Sequence, residues 1–427
     1  MKIGNIIKFE RNGGNITQEE LAKDICSVSY LSKIENNSTV PSDEIVKLLF
    51  KKLGIPDIVN NNNDLEIEQF LYDTYQKVLE IREDLETNIK ITSSEFSLTK
   101  YKVLSQLISC RYLIQQKQLD EAANIMNRLE KILNSLGVKE KIIYYKNNGL
   151  LKYYKGDFTG AINDYNQCID NSISEFDLAD LYYQLALTHG KLLNNTNCIE
   201  YILKALNYYN KEYKFKKSAE CQVILGISYQ RLEEYDSSIK CYSLAIEIAS
   251  NINDINLMGT INHNIGYLYA LKNDAFRAID YFEKSLNLRL PLKEGCNNEA
   301  SLKKILNTIH SLIQLCYKDR KINKLKEYIL TGFKLLENFK DTLTFKEYEY
   351  HLNIYKKIEE NEEKCAEYLE TFIIPYFQKT NNKRYVYKYS KMLASIYESN
   401  RKYKKGIFYY LLANKTIESL LPKTIIE

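Results

Sequence analysis

Glycine and proline are scarce: 15 and 5 residues in a chain of 427, where the usual shares are about 7% and 5%. A fold of many short strands needs a turn about every 8–12 residues, so barrels and sandwiches are excluded. Few glycines remain for phosphate loops. No stretch approaches the roughly 18 uncharged apolar residues of a membrane span, and the opening MKIGNIIKFERNGG has no apolar signal core. The expectation is a cytoplasmic protein with no membrane partner. Charge of one sign is lacking too. The 59 basic and 55 acidic residues leave +4, too little for a blanket nucleic-acid coat. Nine cysteines are scattered between Cys26 and Cys365 without a C-x-x-C pair, and His189, His263, His310 and His351 are as dispersed. Neither a zinc site nor a disulfide framework has that spacing, so no metal and no cofactor is expected. What is present is 45% hydrophobic residues, ample for a core. Helix punctuated by short polar connections remains. Length alone suggests about three domains.

The first 55 residues read as four helices. Ile3, Ile6 and Ile7 begin an amphipathic helix that Gly13-Gly14 breaks. Thr17 is the N-cap of the second, with Glu20 completing a capping box. Leu21 and Ala22 face inward. Ile25-Cys26-Ser27 forms a short turn, and Ser27 or Ser29 caps a third helix from Val28 to about Asn36, with Leu31 and Ile34 inward. Pro41-Ser42-Asp43 opens a fourth, carrying Ile45, Leu48, Leu49 and Leu53. Two helices joined by a tight turn, the second short and polar outside, form a helix-turn-helix, whose second helix enters the major groove.

The string TQEELAKDICSVSYLSKIENN, followed by P-S, resembles the Cro/C1 repressor type at Gln18, Leu21, Ala22, Leu31, Ser32, Ile34, Glu35 and Asn36. Its turn is one residue short and has Ile25-Cys26-Ser27 where a glycine is usual. In that it resembles the RRNPP family of peptide-pheromone regulators. By analogy with repressor docking, Val28, Ser29, Ser32 and Lys33 reach base edges, Lys33 toward guanine and Val28 toward a thymine methyl. Thr17, Gln18 and Tyr30 contact phosphates. Glu35 is read as intradomain, a partner for Arg11 or for a backbone group. Residues 1–56 carry eight basic and seven acidic side chains, so one copy binds weakly. Two half-sites held by a dimer are required.

Gly54-Ile55-Pro56 and Asn60-Asn61-Asn62-Asn63 mark the one clear boundary. Residues 57–100 then hold ten acidic and four basic side chains. Beyond it the chain repeats. Gly226 and Gly266 each precede an aromatic by three residues (Tyr229, Tyr269). Each is followed by a small residue twelve on (Ser238, Ala278), an aromatic sixteen on (Tyr242, Phe282) and a small residue nineteen on (Ala245, Ser285). That is the tetratricopeptide pattern. Gly149 and Ala394 begin further copies, and weaker ones start at Cys110, Ala186, Ile313 and Asn353. The small positions step by 39, 37, 40, 40, 47, 40 and 41 residues, longer than the usual 34 or so. A degenerate copy lies near Leu71. The longest step contains Leu290-Pro291-Leu292 and Gly295, read as an extended loop. The expected fold is all-α: a helix-turn-helix domain (1–56), a linker (57–64) and a right-handed superhelical solenoid of about eight to nine tetratricopeptide-like repeats (65–427).

The first helices of such hairpins line a concave face. The inward positions there are Arg111, Asn147, Gln184, Asn264 and Tyr267, with His263 beside them. Amides pair with the backbone of an extended peptide whatever its sequence, and Arg111 suits a carboxylate. The order and length of these parts most resemble NprR-like RRNPP members. The resemblance implies a transcriptional regulator whose partners are double-stranded operator DNA, a short signalling peptide in the groove, and itself, as a homodimer or tetramer. The competing reading is a Rap-like inhibitor or phosphatase that binds a response-regulator receiver, with Gln69, Gln76 or Glu80 as the acting side chain. There is no G-x-G-x-x-G, P-loop, H-E-x-x-H or G-x-S-x-G, so no catalytic residue is assigned and the protein is not expected to be an enzyme. Residues 376–427 carry eleven basic and three acidic side chains, a solvated face or a dock for an acidic partner.

Overall fold

Side-chain caps and left-handed turn residues set the helix boundaries. The computed structural model describes residues 3–13, 16–53, 64–80, 101–169, 174–290, 299–339 and 345–419. They fall into two compact units, Met1–Glu234 and Tyr235–Glu427. Every regular element among the described residues is helical. Of the proposed linker, 57–64, residues 57–63 lie outside them and Asp64 already begins a helix, and the loop around Pro291 and Gly295 lies outside them too.

In the first unit, α1 (Ile3–Gly13), α2 (Gln18–Ala22), α3 (Val28–Glu35) and α4 (Asp43–Lys52) form the amino-terminal bundle. The Thr17 hydroxyl accepts from the Glu20 amide while the Glu20 carboxylate accepts from the Thr17 amide, the expected capping box. Ser27 caps α3 by accepting from the Tyr30 amide. Between α2 and α3 the chain turns through Asp24 at φ 65°, a left-handed conformation that needs no glycine when a short polar side chain stands there. Ile7, Leu21, Ala22, Leu31, Ile34, Val46, Leu49 and Phe50 close one apolar core. Leu48 is not part of it. It is 48% exposed, because Val46, Leu49 and Phe50 occupy the inward face of α4. Gly4 is buried where α1 crosses α3; a Cβ there would collide with the Ile34 carbonyl oxygen.

The helix α5 (Asp64–Glu80) packs on α6 (Lys102–Gln115). Leu71 is buried on α5, in keeping with a degenerate first repeat. Helical hairpins then succeed one another: α6 (Lys102–Gln115) with α7 (Leu119–Glu130), α8 (Val138–Lys155) with α9 (Phe158–Asn166), α10 (Glu175–Lys191) with α11 (Asn195–Lys211), and then α12 (Phe215–Arg231). The second unit holds α13 (Tyr235–Asn251), α14 (Ile255–Leu271) with α15 (Ala275–Arg289), and α16 (Glu299–Lys318) with α17 (Ile322–Leu336). It continues through α18 (Lys346–Glu360) with α19 (Glu362–Tyr368) and α20 (Ile374–Lys379), and ends with α21 (Lys383–Ser399) and α22 (Tyr403–Glu418). The small-to-aromatic spacing of sixteen has a direct cause. A Cβ on Gly149 would lie 2.6 Å from the Tyr165 ring, and one on Gly266 would lie 2.8 Å from that of Phe282. The aromatic of the second helix fills the space that the missing side chain leaves on the first. A π-helical turn at Leu369–Ile373 precedes Pro375, which has no N–H to continue the regular ladder.

Candidate DNA-reading face and repeat groove

The third helix presents two chemically different faces. Leu31 and Ile34 bury apolar surface inward. Val28, Ser29 and Lys33 are exposed, and Tyr30 and Ser32 half-buried. A clamp of charge fixes its far end. The Arg11 Nε donates to Glu35 Oε1 at 2.6 Å and Nη2 to Oε2 at 3.0 Å, while Nη1 reaches the Ile16 carbonyl at 2.9 Å. Glu35 is almost wholly buried, so this pair is intradomain, as its pattern indicated. The Gln18 amide also donates to Glu35 Oε2, at 2.7 Å. Thr17 spends its hydroxyl on the cap and on a bond to Glu20 Oε2 at 2.9 Å. Those two proposed phosphate contacts are therefore already engaged inside the domain, leaving the other Gln18 N–H and the oxygen lone pairs for a ligand.

The proposed peptide residues divide between the units. In the first, Arg111 and Asn147 depart from the expectation of an open groove, being 2% and 0% exposed. Each first helix packs on the next, and the inward side chains are consumed by that packing. Asn147 Nδ2 donates to the Leu107 carbonyl at 2.8 Å. The carboxylate that Arg111 holds is Asp180 of its own chain, at 3.3 Å. Lys146 pairs with Asp177 and, at 3.0 Å, with Asp180. Burial opposes ionisation of Asp180, yet Lys146 and Arg111 hold its carboxyl down to about 2. Arg111 Nε and Nη1 and Asn147 Oδ1 find no partner among the described residues. Beside this network a small cavity is lined by Tyr72, Tyr75, Gln76 and Asp177. Gln184 on α10 is half-buried.

In the second unit, α14 carries the other three residues. His263 Nδ1 sits 3.0 Å from Thr308 Oγ1 and its ring lies against Phe282. Burial, with Arg289 nearby, pushes the imidazole down to about 4, so it is neutral at neutral pH. Asn264 is half-buried, and Tyr267 is 41% exposed. Of the residues suggested for receiver chemistry, Gln69 is exposed and donates to Asp73 at 2.8 Å. Gln76 is exposed, and the Glu80 side chain lies outside the described residues. Sequence reasoning missed Lys146, Asp177 and Asp180. Their signal was charge at positions of the first helices where the repeat otherwise buries apolar groups. Among the described residues no cluster of histidine, cysteine and acids has a metal-holding arrangement, and no helix is long and apolar enough to cross a membrane.

A capped helix-turn-helix followed by tetratricopeptide-type hairpins defines a transcription regulator that carries a repeat module. The helix-turn-helix family model matches residues 7–57, and a tetratricopeptide repeat model matches 218–290. The transcriptional activator NprA of Geobacillus stearothermophilus is 33% identical over 415 residues, covering 94% of this chain and all of that one. Response regulator aspartate phosphatase H of Bacillus subtilis is 21% identical over 348 residues, covering 74% of this chain and 84% of its own. The apo form of the quorum sensor NprR from B. thuringiensis superposes with a TM-score of 0.69 at 19% identity, covering 83% of this chain and all of that one. The chain belongs to the RRNPP family of regulators.

Proposed function

We propose that this chain binds double-stranded operator DNA as a homodimer or tetramer in the cytoplasm, and that a short linear peptide held by its repeats switches that binding. In this reading residues 1–56 read DNA, 57–64 link, and 65–427 receive the peptide and assemble. The observation that carries it is the exposed face of α3, with Ser29 and Lys33 open to solvent on a helix locked from behind by Arg11 and Glu35. Rigid presentation of short polar side chains is what base readout in the major groove requires. Val28 and Ser32 extend that face, while Tyr30, Thr17 and Gln18 flank it toward the phosphates. The reader's small net charge makes assembly necessary for affinity, and α22 offers the surface for it: Tyr403, Ile407, Phe408 and Leu411 recur on one side and are each about 60% exposed.

For the peptide, Gln184 in the first unit and Asn264, Tyr267 and His263 in the second are the candidate polar contacts, while Arg111 is spent on Asp180. The peptide shifts the assembly only by its differential affinity for two arrangements. Ser29→Ala and Lys33→Ala each weaken operator binding by about 1–3 kcal/mol. Unchanged affinity in both removes the assigned base readers. Calorimetry with short peptides encoded beside this gene tests the receptor, and its absence of heat with all of them removes it. A second reading, action on a receiver protein, is favoured by the likeness to aspartate phosphatase H and by the exposed Gln76. The lifetime of a phosphorylated receiver with and without this chain decides it. The regulator reading assigns no catalytic residue.

A further inference from the structure

Lys146 and Lys388 are both drawn inward among aromatic rings, and their surroundings differ. Lys146 has Asp177 and Asp180 within ion-pair reach and lies over the Tyr75 ring. Lys388, on α21, has no carboxylate partner among the described residues. Its ammonium is 3.5 Å from His310 Nε2 and lies over the rings of Tyr389 and Tyr355 at 5.4 and 6.0 Å. Other lysines nearby do find acids: Lys402 pairs with Glu363 and Lys405 with Glu370, at 3.2 Å each. Lys388 also borders a cavity of about 540 Å³ whose walls include Tyr317, Tyr355, Glu362, Lys391 and Ser395. The space lies beside the first helices of three successive hairpins, α16, α18 and α21.

We propose that this cavity is a carboxylate-binding site, with Lys388 supplying the charge and the hydroxyls around it the remaining bonds. The occupant is a carboxylate of a short peptide, at its C-terminus or on an Asp or Glu side chain. This rests on reading the repeats as a peptide receptor.

The physical case is one of missing compensation. A cation withdrawn from water needs a counter-charge, and aromatic faces replace only a small part of it. The groups around Lys388 supply none. From α16 come His310 and Tyr317; from α18, His351 and Tyr355. The two histidine rings stack 4.2 Å apart, and burial lowers both below the usual histidine range, so they are neutral at neutral pH. Glu347 acts on His351 at 3.6 Å rather than on the lysine. Glu362 also lines the cavity but forms no ion pair with Lys388. On its own helix Arg384 and Lys391 share its sign. Burial, with Arg384 adding to it, accordingly pushes the Lys388 ammonium down to about 7. An arriving carboxylate restores the charged form, so binding takes up a proton and strengthens as pH falls from 8 toward 6.

The test needs no knowledge of the natural peptide. In the full chain, competitive acetylation across pH, read by mass spectrometry at Lys388, gives its titration midpoint. We use tetra-alanine with a free C-terminus and tetra-alanine amide as probes at equal ionic strength. The free acid raises the midpoint by at least one pH unit and the amide leaves it in place. Equal midpoints with both probes overturn the site. A second measurement uses Lys388→Met, which keeps the length of the side chain and removes its charge. Without ligand, Lys388→Met melts at a higher temperature than the parent at pH 6, by several degrees, and the gain shrinks at pH 9. A lower melting temperature at pH 6 shows that the ammonium is a structural member and overturns the proposal. Failure here leaves operator binding and peptide calorimetry untouched, so the receptor reading stands or falls separately.

Discussion

Arg11 and Glu35 meet through two parallel bonds of 2.6 and 3.0 Å, joining the end of the first helix to the last residue of the third. Glu35 is almost wholly buried. Removing one member of a buried pair leaves the other charged and uncompensated, at a cost of about 3–5 kcal/mol. Arg11→Met is therefore expected to loosen the DNA-reading helix. Amide hydrogen exchange across residues 28–35 should speed up more than about a hundredfold. Glu35→Gln leaves Arg11 with water and the Ile16 carbonyl, and its effect should be smaller. Exchange that is the same in all three proteins would show that the clamp does not hold the helix.

A subtler constraint sits at Gly4. An alanine there would drive its Cβ into the Ile34 carbonyl, and a backbone group cannot rotate aside as a side chain does. Gly4→Ala should push α1 off α3, weaken operator affinity at least tenfold and leave the repeats' far-UV circular dichroism almost unchanged. Full operator affinity in this variant would mean that the crossing relaxes freely.

The helix boundaries and the repeat were legible because they are local: the Thr17–Glu20 box and the sixteen-residue step from Gly149 to Tyr165 involve a few residues at fixed offsets. The Arg11–Glu35 pair was legible only in part: the repressor-type pattern matches at Glu35, whereas Arg11 lies outside it and is brought to Glu35 by the packing of α1 on α3. The fate of Arg111 and Asn147 was not. Periodicity gives the face a residue occupies on its own helix, but Asp180 lies 69 residues from Arg111, and only the packed hairpins reveal that it covers that face. Leu48 and Lys388 fail the same way, one apolar and exposed, the other charged and drawn inward. Gly4 reads from sequence as one more helical residue, since its necessity comes from the helix crossing above it.

The shortage of glycine also has an energetic trace. Most hairpin turns among the described residues place a residue other than glycine in left-handed backbone. They include Lys117, Leu193, Glu233, Asn253, Asn273, Arg320 and Arg401, with φ between 54° and 62°; Gly156, at φ 85°, has no such strain. Leu193 has no polar side chain to compensate, and it is 60% exposed, so little packing is lost with it. Left-handed backbone costs a residue with a Cβ about 1–2 kcal/mol, and glycine's extra unfolded entropy returns about 0.4–1 of that. Leu193→Gly should thus stabilise the first unit by about 0.5–1 kcal/mol, seen as a higher denaturant midpoint. A lower midpoint would show that the turn's leucine packs in a way its exposure does not suggest.

The exposed stripe on α22 gives the assembly reading its own test. Monomeric proteins rarely leave contiguous apolar side chains such as Ile407, Phe408 and Leu411 bare, and a second copy is the partner that operator half-sites demand. Phe408→Glu should move the sedimentation equilibrium toward monomer and lower operator affinity, with peptide affinity kept. An unchanged assembly would place self-association elsewhere on the chain.

His263 makes the stability of the second unit depend on pH in a calculable direction. Its imidazole titrates near 4 in the fold and near 6.5 in the unfolded chain. Between those values the unfolded state binds the extra proton, so stability is full above about pH 7 and falls as the solution is acidified toward 4. Two and a half pH units correspond to at most about 3–4 kcal/mol. His310 and His351 are depressed by burial as well and slope the same way, so the contribution of His263 is read by difference. His263→Gln can still bond Thr308 but does not titrate. Its denaturant midpoint should fall less than that of the parent between pH 7 and pH 5. Identical slopes in the two proteins would show that the fold opens to solvate His263 when it charges.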